Sequence, residues 1–133
     1  MNWYKKSQKT MLGYKGVSYD PQTNTSFSFW GGKNFPIDLT IGNWINTYSP
    51  KGLYLGSSKQ YVLDYYSAMT DGEELLLTYQ FNIEDVLSIP DTSACDGEIR
   101  VKRAQLINIE HIDKDESGEI VEGISPWNNN KLI

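Results

Sequence analysis

The stretch that decides the fold reads Lys51-Gly-Leu-Tyr-Leu-Gly-Ser-Ser-Lys-Gln-Tyr-Val-Leu-Asp-Tyr-Tyr66. Leu53, Tyr54 and Leu55 lie between Gly52 and Gly56, which reads as a short apolar strand bounded by turn residues. Ser57 or Ser58 then opens a helix, because a serine oxygen accepts from the free N–H groups of a first turn. Tyr61, Val62, Tyr65 and Met69 follow at a spacing that lines one helical face, and Thr70-Asp71-Gly72 ends it. A strand that feeds a helix through a glycine turn is a place where an anion can sit. The expected arrangement has Tyr54 at the floor of a cleft, Ser57 and Ser58 at the helix mouth, and Tyr61, Val62 and Tyr65 packed on a sheet.

Upstream of this stretch, Met11 to Tyr19 alternates loosely and predicts a first strand, which Gly13 and Gly16 should weaken. Asp20 to Asn24 is a turn, and Thr25 to Trp30 alternates again. Phe35 to Leu39 reads as a short strand interrupted by Pro36, and Ile41 to Pro50 as one helical turn or a covering loop. Downstream, Glu73 to Phe81 is the clearest strand, with Leu75, Leu77, Tyr79 and Phe81 on one face. Glu73 and Glu74 read as solvated at its start. Asn82 caps a short turn over Ile83 to Asp85, and Val86 to Ile89 is strand-like before Pro90. Glu98 to Ile109 is the last long strand. Ile99 and Val101 are out of phase with Leu106, which predicts a bulge near Arg103-Ala104. Strands joined by short turns around one helix predict an α+β domain with an antiparallel or mixed sheet.

The chain has 133 residues, enough for one core and one domain. That core is expected over about 11–112, with an N-terminal arm at 1–10 and an acidic, Asn-rich tail at 113–133 that Trp127 anchors. A net charge of −5 and a pI near 4.8 argue against a nucleic-acid partner. Cys95 is the sole cysteine, so no internal disulfide forms. As a nucleophile it would need a histidine, and the only one, His111, is remote in sequence and reads either as a base or as an ordinary surface residue. Clusters of Cys and His with zinc spacing are absent. No apolar run is long enough for a signal peptide core or a membrane span, so a soluble, intracellular protein with no membrane partner is expected.

Several blocks bear a resemblance to known families. Tyr14-Lys-Gly-Val-Ser18 resembles the first strand of ADP-ribosyltransferase-like domains, and Gly52-Leu-Tyr-Leu-Gly-Ser-Ser58 with its helix resembles their second motif. Ile83-Glu-Asp-Val-Leu-Ser-Ile-Pro90 and Glu98-Ile-Arg-Val-Lys-Arg103 complete an order similar to small phage-type domains, including the C-terminal part of rapid-lysis B proteins of T-even-like phages. The likeness covers roughly residues 11 to 110. It departs at two positions: Tyr54 stands where the phage-type domains usually carry His, and Lys15 where the transferases carry His or Arg.

The resemblance implies an ADP-ribosyltransferase-like fold in a phage-type accessory protein of the host cytoplasm. It implies a module that binds a nucleotide or a host protein, in interference with host defence, without transferase chemistry. The alternative it implies is an NAD-dependent mono-ADP-ribosyltransferase with a Lys-Tyr-Glu site. In that site Lys15 contacts a ribose hydroxyl or phosphate as a point charge, and Tyr54 stacks on nicotinamide. Ser57 and Ser58 hold phosphate oxygens, and Glu98 is the catalytic carboxylate. Each of these residues also has a plain structural reading: Lys15 as an exposed strand residue, Tyr54 as core, a serine as a cap, and Glu98 as a charge at a strand start. Arg100, Lys102 and Arg103 form a basic group suited to phosphates, to an acidic partner or simply to solvent.

Overall fold

A computed structural model describes residues 9–23, 25–28, 37–46, 52–64, 73–88, 97–114 and 120–126. The strands are β1 (Thr10–Asp20), β2 (Thr25–Ser28), β3 (Trp44–Asn46), β4 (Leu53–Gly56), β5 (Glu73–Asn82), β6 (Val86–Ser88), β7 (Glu98–Val101), β8 (Arg103–Lys114) and β9 (Ile120–Pro126). The helix α1 spans Lys59–Asp64, and a 3-10 turn covers Ile83–Asp85. Every strand pairing is antiparallel, so the α+β class and the antiparallel sheet hold.

The sheet is built on one long ladder. β1 and β5 pair without a break from Thr10↔Asn82 to Tyr19↔Glu73. Successive side chains of a strand face opposite ways, so Met11, Val17 and Tyr19 share a face with Leu75, Leu77, Tyr79 and Phe81. That face is the main core, which Leu55, Ile99, Val101, Leu106 and Ile109 complete. The other face carries a smaller core in which Val62 of α1 meets Leu76 and Ile112, flanked by Tyr14 and Leu63. This packing and the Lys59–Glu110 ion pair at 2.8 Å tie the described part of α1 to the sheet.

The order across the sheet is β3-β8-β5-β1-β4-β7-β6, with β2 on β1 and β9 on β8. β7 and β8 are consecutive in the chain and separated only by Lys102, whose N–H donates to the Asp85 carbonyl at 2.8 Å. One bent segment, 98–114, therefore borders β4 at its start and β5 further on, and the sheet curls around the main core.

Several expectations change. The helix is described only from Lys59 to Asp64, and Tyr65, Met69 and Thr70 lie outside the described residues, as do Cys95, Pro90 and Trp127. Residues 37–40 form no strand, whereas Trp44–Asn46, expected in a helical turn or loop, is β3. The phase slip between Val101 and Leu106 falls at Lys102, beside the expected Arg103-Ala104, where β7 gives way to β8, and a second break not read from the sequence sits at Ile107, where Leu106 faces Tyr79 and Asn108 faces Thr78. The expected C-terminal tail contains β9. Glu74, expected in solvent, is fully buried, because the face it occupies lies on the covered side of β5. Gly13 does not weaken β1. A Cβ there would stand 2.9 Å from Leu55 and 3.1 Å from Phe81, so glycine is what allows these side chains to close over the strand.

Gly52 carries a sharper constraint. Its φ is +86°, and a Cβ would fall 2.6 Å from Leu87 and 2.8 Å from the Val101 carbonyl oxygen. Gly52→Ala combines backbone strain with a backbone clash and is expected to lower stability by about 2–4 kcal/mol in chemical denaturation. A loss below about 0.5 kcal/mol would show that the β4 entry relaxes freely.

Candidate functional site

The edge of β1 that faces away from β5 changes partner midway. Tyr14 pairs with Gly56 of β4, and from Val17 onward the same edge pairs with β2. Lys15 and Gly16 fall between these two pairings and have no strand partner on that edge among the described residues. Alternation from Met11 and Val17 turns Lys15 toward the core face, opposite Leu77. Its exposure is 5%. The ammonium ends at the parting of β4 and β2, where Nζ donates to the Tyr54 carbonyl oxygen at 3.2 Å. An ammonium has three N–H donors, and this is the one hydrogen bond it makes among the described residues. Among the described residues no carboxylate lies within ion-pair distance of it; the ion pairs there are Lys59–Glu110, Arg103–Asp85 and His111–Asp113. Burial lowers its pKa to about 8, against a weaker pull upward from the charge of Glu98.

Tyr54 and Glu98 approach from the next two strands. In the β4–β7 ladder Tyr54 faces Arg100 and Gly56 faces Glu98. Leu55 and Ile99, one residue out of step, point into the main core. The Tyr54 ring and the Glu98 carboxylate therefore lie on the face opposite to the one from which Lys15 enters. Glu98 is exposed and Tyr54 half-buried. The three sequence candidates meet at one corner of the sheet but do not line one wall of a cleft.

Both serines are engaged by backbone. Ser57 Oγ accepts from the Gly97 N–H at 2.8 Å while the Ser57 N–H donates to the Gly97 carbonyl at 2.9 Å, a two-bond clasp between the ends of β4 and β7. Ser58 Oγ accepts from the Tyr61 N–H at 3.0 Å, which makes Ser58 the cap of α1. The choice between Ser57 and Ser58 as cap is settled in favour of Ser58.

The remaining candidates are dispersed. Arg100 Nε donates to Ser88 Oγ at 2.9 Å. Arg103 lies 4.9 Å from the Trp44 ring centroid and donates to Asp85 at 3.2 Å. The basic group read from the sequence is thus split between two neighbourhoods. His111 Nδ1 lies 3.0 Å from Asp113 Oδ1, and the same oxygen accepts from Ser125 Oγ at 3.0 Å. The serine is bonded to the aspartate and not to the imidazole, so this cluster lacks the nucleophile–base contact of a catalytic triad. Among the described residues no group of three or more His, Cys, Asp or Glu could hold a metal ion, and no helix is long and apolar enough to cross a membrane.

The sequence marked Lys15 but not its burial, because one lysine in a loosely alternating strand gives no sign of which phase faces the core. Tyr79 was read only as core, yet its hydroxyl is buried with no hydrogen-bond partner among the described residues, and burial raises its pKa above the ordinary phenol value.

These two groups give the protein a distinct pH profile. The folded pKa of Lys15 lies below its unfolded value of 10.5. The unfolded chain thus holds more protons between pH 8 and 10.5, and stability rises with pH across that window. The pKa of Tyr79 is raised, so the unfolded chain loses its phenolic proton first and stability falls above about pH 10. Denaturation midpoints should climb from pH 7.5 to 10, by an amount on the order of 3 kcal/mol for Lys15 alone, and then drop. Lys15→Met should flatten the climb and leave the drop. A climb that survives in Lys15→Met would assign it to another group. The chain matches no protein-family model, no curated protein and no solved structure, so the chemistry of this corner rests on its own geometry.

Proposed function

We propose that the protein is a small binding module for a phosphate-bearing nucleotide, anchored by Lys15, and that it carries no transferase chemistry. The observation that carries this reading is the buried ammonium, which has one backbone acceptor and no carboxylate beside it among the described residues. A buried charge without an ionic partner is costly, and an anion that docks against it recovers part of that cost. The gap in pairing at Lys15 and Gly16 gives such an anion an approach along the edge of β1. The resemblance of Tyr14 to Ser18 and of Gly52 to Ser58 to ADP-ribosyltransferase-like blocks favours a nucleotide as the ligand and that fold as the ancestry. The similarity to phage-type domains favours an accessory role in the host cytoplasm, in interference with host defence.

The second reading is an NAD-dependent mono-ADP-ribosyltransferase with Lys15, Tyr54 and Glu98 as its site. What supports it is that the three groups meet at one corner. What weighs against it is that Tyr54 and Glu98 lie on the face opposite to that from which Lys15 enters, so a single bound NAD would have to reach around a strand. A third reading, a surface for a host protein, draws on the exposed side chains Leu12, Trp44 and Ile107.

Thermal unfolding with ADP-ribose, ADP and NAD separates the three. ADP-ribose or ADP at a hundredfold excess over its dissociation constant should stabilise the protein by about 2.7 kcal/mol, and Lys15→Met should remove the shift while remaining folded. Transfer of label from NAD to an acceptor, lost in Glu98→Gln and in Tyr54→Ala, would replace this reading by the transferase. No shift with any nucleotide would leave a protein partner.

A further inference from the structure

A second cation is held in a fixed geometry on the other face of the sheet. In the β3–β8 ladder Trp44 faces Gln105 and Asn46 faces Arg103. Ile45 and Ala104, one residue out of step, pack into the main core. Trp44, Asn46, Arg103 and Gln105 therefore share the outer face. Trp44 and Arg103 are diagonal neighbours there, which an aromatic ring and a long side chain can span. The guanidinium carbon lies 4.9 Å from the indole centroid, within cation–π range. Its Nε donates to Asp85 Oδ2 at 3.2 Å. Asp85 is itself pinned, because its carbonyl accepts the Lys102 N–H at 2.8 Å. One aspartate thus clasps two successive residues at the bend. The chain entering β3 is pinned as well: the Gly42 N–H donates to the Leu106 carbonyl at 2.7 Å, and the Leu106 N–H to the Asn43 carbonyl at 3.0 Å.

A guanidinium has five N–H donors. Nε is taken by Asp85, and the Nη edge makes no hydrogen bond among the described residues. The Arg103 side chain is 46% exposed and Trp44 is 42% exposed. The ladders place Leu12, Gln80, Gln105 and Trp44 in one row across β1, β5, β8 and β3, about 14 Å from end to end. Leu12 at the far end and Ile107, two residues on from Gln105, are also exposed. The amides between them are turned to local acceptors, Gln80 Nε2 to the Thr10 hydroxyl and Gln105 Nε2 to the Gly42 carbonyl.

We propose that Arg103 and Trp44 anchor a carboxylate side chain of a peptide partner. The Nη edge takes the carboxylate through two parallel hydrogen bonds, and the indole and Ile107 receive the apolar side chains beside it. A planar fork matches a carboxylate in a way that a lysine cannot. Asp85 keeps the Nε side, so the guanidinium bridges two carboxylates. Because Asp85 and Trp44 already hold it, little side-chain freedom is lost on binding. Arg and Trp are the residue types that dominate the energy of such contacts. The row is a strand-built face and not the concave pocket that a small molecule requires, which favours a peptide as the occupant. The net charge of −5 repels an acidic peptide at long range, but salt screens that repulsion beyond about 8 Å. The anchor lies on the face opposite to that which Lys15 enters, so it stands apart from the nucleotide reading.

The probe is a short capped peptide of alternating leucine and glutamate, with glutamine in place of glutamate as the control. At about 1 mM the glutamate peptide should shift the NMR signals of the Trp44 indole N–H and the Arg103 Nε–H. The glutamine peptide should bind about tenfold more weakly. Arg103→Lys keeps the charge and loses the fork, and should weaken the glutamate peptide by a similar factor; Trp44→Leu should do the same from the other side of the contact. Equal binding of the two peptides overturns the carboxylate anchor, and so does full affinity in Arg103→Lys. Absence of a shift at both Trp44 and Arg103 overturns the site. A dimer of the protein alone in sedimentation, dissociated by Arg103→Lys, assigns the surface to a second copy and overturns the peptide.

Discussion

The register between β1 and β5 is the constraint on which the rest of this structure depends. It runs from Thr10↔Asn82 to Tyr19↔Glu73 without a bulge. A slip by one residue would turn every side chain of β1 to the other face. In the observed phase Met11, Val17 and Tyr19 enter the main core, and Lys15 enters with them. Magnitudes decide between the phases. Burying three large apolar side chains contributes roughly 1.5–3 kcal/mol each, whereas the lysine penalty implied by a pKa near 8 is on the order of 3 kcal/mol. The apolar set wins, and the alternative phase would expose it in order to hide only Leu12 and Tyr14.

Once the register is fixed, the corner follows. β4 is paired along its length with β7 but touches β1 through Tyr14↔Gly56 alone. The hairpin that β2 makes with β1 claims the edge from Val17 onward. Between the two pairings Lys15 and Gly16 have no strand partner on this edge among the described residues, and the lysine side chain bridges to β4 by donating to the Tyr54 carbonyl. The bend at Lys102 completes the arrangement by carrying one segment from β4 round to β5, which brings Glu98 to the corner and Leu106 and Ile109 to the core.

Much of this was legible in the sequence where a strand has one buried phase. Leu75, Leu77, Tyr79 and Phe81 marked β5, and the Gly52 to Ser58 run marked β4, its turn and the start of α1. Elements decided by partners at a distance were not legible. β3 is three residues long and carries no period; it forms because the edge of β8 accepts it, extended by Gly42 and Asn43 bonding to Leu106. Glu74 looked solvated because alternation within β5 cannot report that its second face is covered. The break at Lys102 is legible because Val101 and Leu106 are buried in opposite phases, whereas the one at Ile107 is set by its pairing with β5. Of the site, the residue types were legible and their faces were not, since Tyr54, Glu98 and Lys15 acquire faces only from the ladders that fix their parity.

Those faces bear on why a lysine stands at residue 15. A side chain needed only to bridge β1 to the Tyr54 carbonyl could be a neutral donor, which would make the same hydrogen bond without the penalty of a desolvated charge. A side chain needed only to fill the core could be Met or Leu, which would leave a carbonyl unpartnered at about 1–3 kcal/mol, no more than the lysine costs. Lysine is the choice that adds a positive charge where neither bridging nor packing requires one. That charge is 5% exposed and sits where the strand edge has no partner among the described residues. If the proposed anion-binding role holds, the feature that lowers the stability of the protein is also the one that would give an arriving anion its binding energy, and stability and affinity would be coupled through one ammonium group.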